Sequence, residues 1–104
     1  MLFRSRQRVS DSYLSQVAYK MSQYRFYPKA PVARAEEGFL VLRLVIARDG
    51  RLVEVSVVKS SGYPTLDSGA TDIVHKASPF PPLPGELGER AAFTLRVPYR
   101  LTPE

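Results

Sequence analysis

Side chains that could act as nucleophiles, bases or metal ligands are few in this chain of 104 residues. It has no cysteine, which excludes a thiol nucleophile, a disulfide and a cysteine-based zinc site. His75 is the only histidine, and without a second histidine one helical turn away we expect it at the surface rather than on a metal. Asp67 and Asp72 fall on different faces of a predicted helix and make no acid/base pair. We therefore predict a chain that is not an enzyme and binds no cofactor or metal.

A serine-rich turn and the surplus of positive charge are the remaining chemical features. The run Ser60-Ser61-Gly62 lacks the lysine and glycine spacing of a phosphate-binding loop, so it is predicted to cap and turn the chain. The net charge is +5 and the isoelectric point about 9.8. The basic residues are scattered and no RNA-type aromatic motif accompanies them, so binding to nucleic acid or to an anionic surface is kept as an alternative only.

Three arginines are expected on one outward face of a sheet: Arg43, Arg96 and Arg100. Two interpretations stay open for this basic stripe. It is either a solvated face or a surface that attracts acidic residues of a partner, acting on encounter rate and specificity more than on affinity.

A helix is predicted first. Residues 10–26 carry apolar side chains at helical spacing, with Ser10 or Asp11 as N-cap and Pro28 as the stop signal. The expected inward face consists of Leu14, Val17, Ala18 and Met21, with Tyr24 on its flank.

A β-hairpin is predicted over residues 39–59, where two β-branched runs meet at Asp49-Gly50. A two-residue loop would place Ile46 opposite Val53. It would also pair two further sets of apolar residues, Leu44 with Val55 and Leu42 with Val57.

A second helix and a last strand complete the pattern. Residues 65–78 have a helical apolar face, with Thr65 as the expected cap and Asp67 favourable at the positive end of the helix dipole. Residues 91–101 alternate strictly between apolar and polar side chains, which predicts a strand. The proline-rich run of residues 79–84 joins the two within one domain, with Phe80 and Leu83 packed beneath the crossover rather than presented as bait for another domain.

These elements predict an α+β fold of the order αββαβ. Pro98 lacks the amide that an interior strand needs, so the last strand is placed at an edge. A right-handed crossover then gives the strand order 2-1-3, with both helices on one face of a three-stranded sheet that has two free edges. Residues 1–10 are assigned to a tail or linker remnant and residues 11–104 to the domain. No apolar run is long enough for a membrane helix, and the first ten residues lack the apolar core of a signal peptide.

The backbone of the last strand is predicted to expose alternate residues. If Pro98 sits where its missing amide does not disturb pairing with the central strand, then Thr94, Arg96 and Arg100 also direct their backbone groups outward. Residues 95, 97 and 99 would be bonded inward.

Six short motifs in order resemble the C-terminal domain of TonB proteins. They are YP at residues 27–28, DGRLVEV at 49–55, SSG at 60–62, LD at 66–67, PFPPLP at 79–84 and VPYRL at 97–101. The resemblance covers residues 13–101 and implies the fold of that domain.

The resemblance also implies a function. TonB proteins are inner-membrane-anchored energy transducers: an N-terminal membrane helix engages the proton-driven ExbB-ExbD motor, and the periplasmic C-terminal domain grips the Ton box of outer-membrane transporters for siderophores, haem or cobalamin. The Ton box adds as a strand at the last strand. Some members carry glutamine where this chain has Phe26. The implied peptide-binding residues are Phe26, Tyr27, Pro28, Thr94, Arg96, Val97, Pro98, Tyr99 and Arg100.

On this interpretation the chain lies in the periplasm, tethered to the inner membrane by a helix absent from it, and has no nucleic-acid partner. Two alternatives stay open. A TonB-like domain can be a sensor or scaffold module with another protein partner, and its free edge strands allow a homodimer by edge-strand pairing.

Overall fold

The computed structural model describes residues 2–24 and 29–104, with side chains described from residue 8 onward. The helices are α1 (Leu2–Ser22) and α2 (Pro64–Ala77), with a short 3-10 helix at Gly85–Leu87. The strands are β1 (Lys29–Ala30), β2 (Glu36–Ala47), β3 (Leu52–Lys59) and β4 (Arg90–Pro103). They form one sheet in the order β1-β4-β2-β3, with β2 antiparallel to both of its neighbours. The α+β class and the central position of the first long strand are confirmed.

The sheet has a fourth strand that the sequence did not predict. Lys29 and Ala30 run parallel to β4, opposite Thr102 and Pro103. Two residues are too few to show a period of two, so the composition of this connector gave no strand signal. The three long strands keep the predicted order 2-1-3, but the last of them is covered at its C-terminal end.

The core lies between the inner face of β2 and the two helices. Leu40, Leu42, Leu44 and Ile46 alternate along β2 and are fully buried. Burying one such side chain contributes about 1.5 to 3 kcal/mol, so this strand is the main apolar support of the domain. The helices and the proline-rich crossover supply the opposite side through Tyr13, Val17, Met21, Leu66, Ala70, Val74, Ala77, Phe80 and Leu83.

The first helix differs from its predicted bounds. It begins at Leu2, so Ser10 and Asp11 lie inside it and neither is its N-cap. Its buried face contains Tyr13, whereas Leu14, which was expected there, is only partly buried. The division of the chain into a tail and a domain at residue 10 stays a prediction.

The hairpin turn contains three residues rather than two. The Gly50 amide donates to the Ala47 carbonyl (2.8 Å), and the Ala47 amide donates to the Arg51 carbonyl (2.9 Å). Gly50 has a φ of 92°, the positive value that ends such a loop in a bulge. As a result Ile46 pairs with Leu52, and the predicted pairing with Val53 is wrong. The pairs Leu42 with Val57 and Leu44 with Val55 are confirmed.

The proline-rich crossover is part of the domain, as predicted. Phe80 and Leu83 are buried. Their amides donate to the carbonyls of Gly50 and Arg48, each at 2.9 Å, which attaches the crossover to the hairpin turn. The hydroxyl of Tyr13 donates to the Pro81 carbonyl (2.7 Å) and joins α1 to the same segment. Burial raises the pKa of Tyr13 to about 12, because the ionised phenol would be poorly solvated there.

Candidate functional site

The outer edge of β4 presents unpaired backbone groups. β4 pairs with β2 without a register shift from Leu101 to Arg90, so its backbone groups alternate regularly between the two sides. The Arg48 amide donates to the Glu89 carbonyl (2.8 Å), which puts the odd-numbered residues on the β2 side. The Glu104 amide donates to the Ala30 carbonyl (3.3 Å), which puts the even-numbered residues on the outer side.

This alternation agrees with the predicted direction of the backbone. Thr94, Arg96 and Arg100 direct both an N–H and a C=O outward, and Pro98 directs only a C=O. Within residues 2–24 and 29–104, only Thr102 and Pro103 of β4 have a strand partner on that side. In this described part of the chain, the edge over residues 90–100 therefore has no strand beside it and can accept an added strand.

An apolar groove of about 630 Å³ runs beside this edge on the helical face of the sheet. Its helical wall includes the side chains of Ala18 and Met21 from α1 and of Ile73 from α2. Its sheet wall consists of Leu40 of β2 and residues 95–100 of β4. A strand added to β4 would direct every second side chain into this groove, because successive side chains of a strand point to opposite faces.

Tyr99 forms part of the groove and is held in place by its neighbours. It pairs with Gly38 of β2, whose missing side chain makes room for the tyrosine ring. A Cβ atom at position 38 would lie 2.5 Å from the Tyr99 hydroxyl. That hydroxyl donates to the Ser61 carbonyl (3.3 Å), so the turn after β3 fixes the far end of the ring.

The turn that holds Tyr99 is itself organised by Asp67 of α2. One Asp67 oxygen accepts from the Ser61 amide (3.0 Å) and the Ser61 hydroxyl (2.7 Å), and the other accepts from the Ser60 hydroxyl. Partial burial would raise the pKa of Asp67, but these hydrogen bonds outweigh it and hold the pKa below its usual value. The predicted cap at Thr65 is wrong, since α2 begins at Pro64 with Tyr63 in the cap position and no side-chain cap bond.

Tyr63 adds a second attachment of this turn to the sheet. Its hydroxyl donates to the Glu36 carboxylate at the start of β2. That hydrogen bond is the main reason why the pKa of Tyr63 is raised, since ionisation would break it; desolvation and the negative charge of Glu36 add to the effect.

The opposite, open face of the sheet carries the predicted basic stripe. Arg43 lies 3.8 Å from Glu54 and Arg100 lies 3.6 Å from Glu37, so both have a carboxylate nearby. Arg96 instead stacks on the ring of Phe39, with its Cζ atom 3.8 Å from the ring centroid. The Lys59 ammonium lies 4.4 Å from the same centroid.

The structure places the β4 residues of the predicted site along one strand, and their role in binding a peptide stays a prediction. Thr94, Arg96, Val97, Pro98, Tyr99 and Arg100 follow one another along a single edge. Phe26, Tyr27 and Pro28 lie outside the described residues. Sequence reasoning missed Met21, Ile73, Gly38 and Ser61 as residues that shape the groove, because each becomes visible only when register and helix orientation are known.

Neither a metal-binding cluster nor a membrane-spanning helix is present among the described residues. Among residues 2–24 and 29–104, no cluster of histidine and acidic side chains is arranged to hold a metal ion. In the same part of the chain, neither helix combines the length and the apolar character needed to cross a bilayer.

The fold and the site define a small two-helix α+β domain in which the edge of β4 lies beside an apolar groove. The family model described as the Gram-negative bacterial TonB protein C-terminal matches residues 23–101. The chain belongs to this family, and the resemblance found in the sequence is confirmed.

Curated relatives and solved structures agree with this assignment. The chain is 30% identical over 78 residues to Protein TonB of Helicobacter pylori, covering 75% of this chain and 28% of the relative. It is 25% identical over 79 residues to Protein TonB of Pseudomonas putida, covering 76% and 32%. The chain thus spans about a third of the length of these curated relatives.

Among solved structures, the solution structure of the Helicobacter pylori TonB C-terminal domain has a TM-score of 0.63 at 24% identity, covering 91% of this chain and 84% of that one. The structure of the HasB C-terminal domain has a TM-score of 0.55 at 26% identity, covering 84% and 68%. Both comparisons support the same fold.

Proposed function

We propose that this chain is the peptide-binding end of a TonB-like energy transducer. It binds the Ton box of an outer-membrane TonB-dependent transporter by strand addition along β4. In this proposal the domain works in the periplasm, is tethered to the inner membrane through a segment outside this chain, and passes on force generated by an ExbB-ExbD motor. The transporters served would take up siderophores, haem or cobalamin. The domain acts by binding and not as an enzyme.

The observation that supports this proposal best is the open edge of β4 over residues 90–100. Its register with β2 is unbroken, so Thr94, Arg96 and Arg100 offer donors and acceptors at regular spacing. Each backbone hydrogen bond that a bound segment forms would contribute about 0.5 to 1.5 kcal/mol. The gap at Pro98, which has no amide, limits how far continuous pairing can run.

The neighbouring groove supplies what the backbone alone lacks, which is selectivity. Backbone pairing accepts almost any sequence, whereas alternate side chains of an added strand must fit beside Met21 and Ile73. Tyr99, fixed over Gly38 and bonded to Ser61, forms part of the wall that those side chains would meet.

The test compares two substitutions at one position. Arg96→Pro removes the side chain and an outward amide, whereas Arg96→Ala removes the side chain only. We expect the proline variant to bind a synthetic Ton-box peptide about five- to tenfold more weakly than the alanine variant, because one backbone donor is lost and pairing is interrupted. Titration calorimetry or NMR would measure binding, and thermal melts would show that both variants fold.

Equal affinity of two folded variants for the peptide would refute strand addition at β4. The groove and the outer edge of β3 would then be the places to search for the contact.

A further inference from the structure

The three arginines of the basic stripe differ in their partners, and this difference suggests what the edge of β4 binds. Arg43 and Arg100 each have a carboxylate nearby, but Arg96, in the middle of the candidate edge, stacks on Phe39 instead. Lys59 shares that ring. All ten acidic residues of the chain lie in the described part, and within it none forms an ion pair with Arg96 or Lys59.

Stacking leaves Arg96 able to bind an anion. An aromatic ring occupies one face of the guanidinium, while the N–H groups at its edge stay free to donate to a carboxylate. The stack also restricts the side chain before any partner arrives, so less rotamer freedom is lost on binding. Lys59 raises the positive potential at the same place.

A strand added to β4 would bring a side chain to this position. Its residue beside Arg96 would direct its side chain to the same open face, at the separation of about 5 Å typical of cross-strand neighbours. The residues before and after it would point the other way, into the groove with Ala18, Met21 and Ile73.

We infer that the bound segment alternates between apolar and polar side chains and places one acidic residue beside Arg96. This inference rests on the proposed strand addition. The apolar side chains enter the groove on the helical face, and the carboxylate meets Arg96 on the open face. The occupant is thus an extended peptide of defined pattern, with an anion subsite built by Arg96, Phe39 and Lys59.

The probe is an eight-residue peptide of alternating valine and threonine, acetylated and amidated, with one central threonine replaced by glutamate. A second peptide carries glutamine there. We expect the glutamate peptide to bind the unmodified protein about threefold more tightly at low salt, the size of a partly exposed ion pair, and to lose that advantage at high salt. NMR titration of the amides of residues 94–97, 99 and 100 measures both affinities.

Protein variants assign the effect to one residue. Arg96→Gln should bind both peptides equally, and Arg96→Glu should prefer a peptide with lysine at the central position. Lys76→Gln is the matched control, because it removes one positive charge from α2 outside the groove and should keep the threefold preference. A preference that survives in Arg96→Gln, or disappears equally in Lys76→Gln, would show a general charge effect and overturn the subsite.

The pattern is tested with an isomer that has the same composition but four consecutive valines. It should bind several-fold more weakly, since half of its apolar side chains would face the open side; equal binding overturns the inferred alternation. If the glutamate and glutamine peptides bind alike but both bind more weakly to Arg96→Pro than to Arg96→Ala, the anion subsite is wrong and strand addition stands. If no peptide shifts residues 94–100, both ideas fail.

Discussion

The two strands that flank β2, namely β4 and β3, differ in how regularly they pair with it. β4 keeps one register with β2 over its whole paired length. β3 shifts register twice, between Val41 and Leu42 and between Val45 and Ile46 of β2. The residues passed over in β3 are Val53 and Val58, and both are exposed.

This difference shows how the fold favours one edge for pairing over the other. A bulge bends a strand and interrupts the regular alternation of its outward N–H and C=O groups. An edge strand with exposed valines would otherwise be a site of aggregation, so the bulges in β3 protect it. Among residues 2–24 and 29–104, nothing gives β4 such protection over residues 90–100, which is the arrangement expected of an edge that pairs with a partner.

The largest effect expected from changing an edge follows from the inward residues of β4. Val97→Pro removes an amide on the β2 side and leaves an acceptor of the central strand unpaired. We expect a loss of about 3 kcal/mol in the free energy of unfolding. Urea or thermal unfolding measures it, and a Val97→Ala variant separates the lost side chain from the lost amide. If the Val97→Pro protein were as stable as the Val97→Ala protein, the assigned alternation of inward and outward amides in β4 would be wrong. The comparison between the β4 and β3 edges would then also be wrong.

A second substitution should lower the stability of the whole sheet rather than of one edge. It acts at Gly50, in the turn between β2 and β3 that is hydrogen-bonded to the proline-rich crossover. A Cβ atom at Gly50 would lie 1.9 Å from the Phe80 carbonyl oxygen, in a residue whose φ is 92°. Gly50→Ala should cost about 2 to 4 kcal/mol from backbone strain and overlap together.

Gly62→Ala is the matched control for this clash. Gly62 has a similar φ of 89° but nothing within 4 Å of the added atom, so it should cost only the backbone strain, about 1 to 2 kcal/mol. Denaturant titrations of the two variants give the difference, and equal losses would mean that the Phe80 contact does not matter.

The contrast between the edges was only partly accessible from the sequence. The alternation of residues 91–101 and the missing amide of Pro98 were enough to place the last strand and to predict its outward residues. The stretch from Phe39 to Ile46, which is apolar except for Arg43, was enough to place the central strand. These patterns are local, so the sequence displays them directly.

The parts that could not be predicted depend on contacts between distant segments. The bulge at Val53 accompanies a three-residue turn at Gly50, whereas the same Asp-Gly pair is compatible with a two-residue turn. The short strand at Lys29 has no period of its own. The groove needs α1 and α2 to be set against β4, and the part played by Gly38 depends on its register with Tyr99.

A smaller effect is expected when the outer side of β3 is changed. Val57 lies opposite Leu42, whose backbone groups face β4, so the Val57 amide is directed away from β2. Val57→Pro should therefore cost about 1 kcal/mol or less and leave the affinity for a Ton-box peptide unchanged. Peptide titration of Val57→Pro beside Arg96→Pro compares the same substitution at the two edges. If both Val57→Pro and Arg96→Pro lost affinity for the peptide, β3 would take part in binding, and the assignment of the site to β4 alone would be wrong.

The smallest effect concerns the turn that connects the end of β3 to Tyr99 of β4. The pKa of Asp67 lies below its ordinary value of 3.8 in the folded protein, because Ser60 and Ser61 donate hydrogen bonds to its ionised form despite partial burial. A carboxyl group whose pKa is lower in the folded protein stabilises the fold at any pH above its pKa in the unfolded chain. This contribution is lost as the pH falls through its pKa in the folded protein. Asp67→Asn should thus lower stability at pH 7 by about 1 kcal/mol or less, a few degrees in Tm. The difference from the unmodified protein should begin to shrink as the pH falls below 3.8, and it should disappear once Asp67 is protonated in the folded state as well. Thermal melts between pH 7 and pH 3 measure it, with Asp72→Asn on the same helix as the control. A difference that stays constant over this range would mean that the turn does not depend on an ionised Asp67, and that Tyr99 at the β4 edge is held without help from the end of β3.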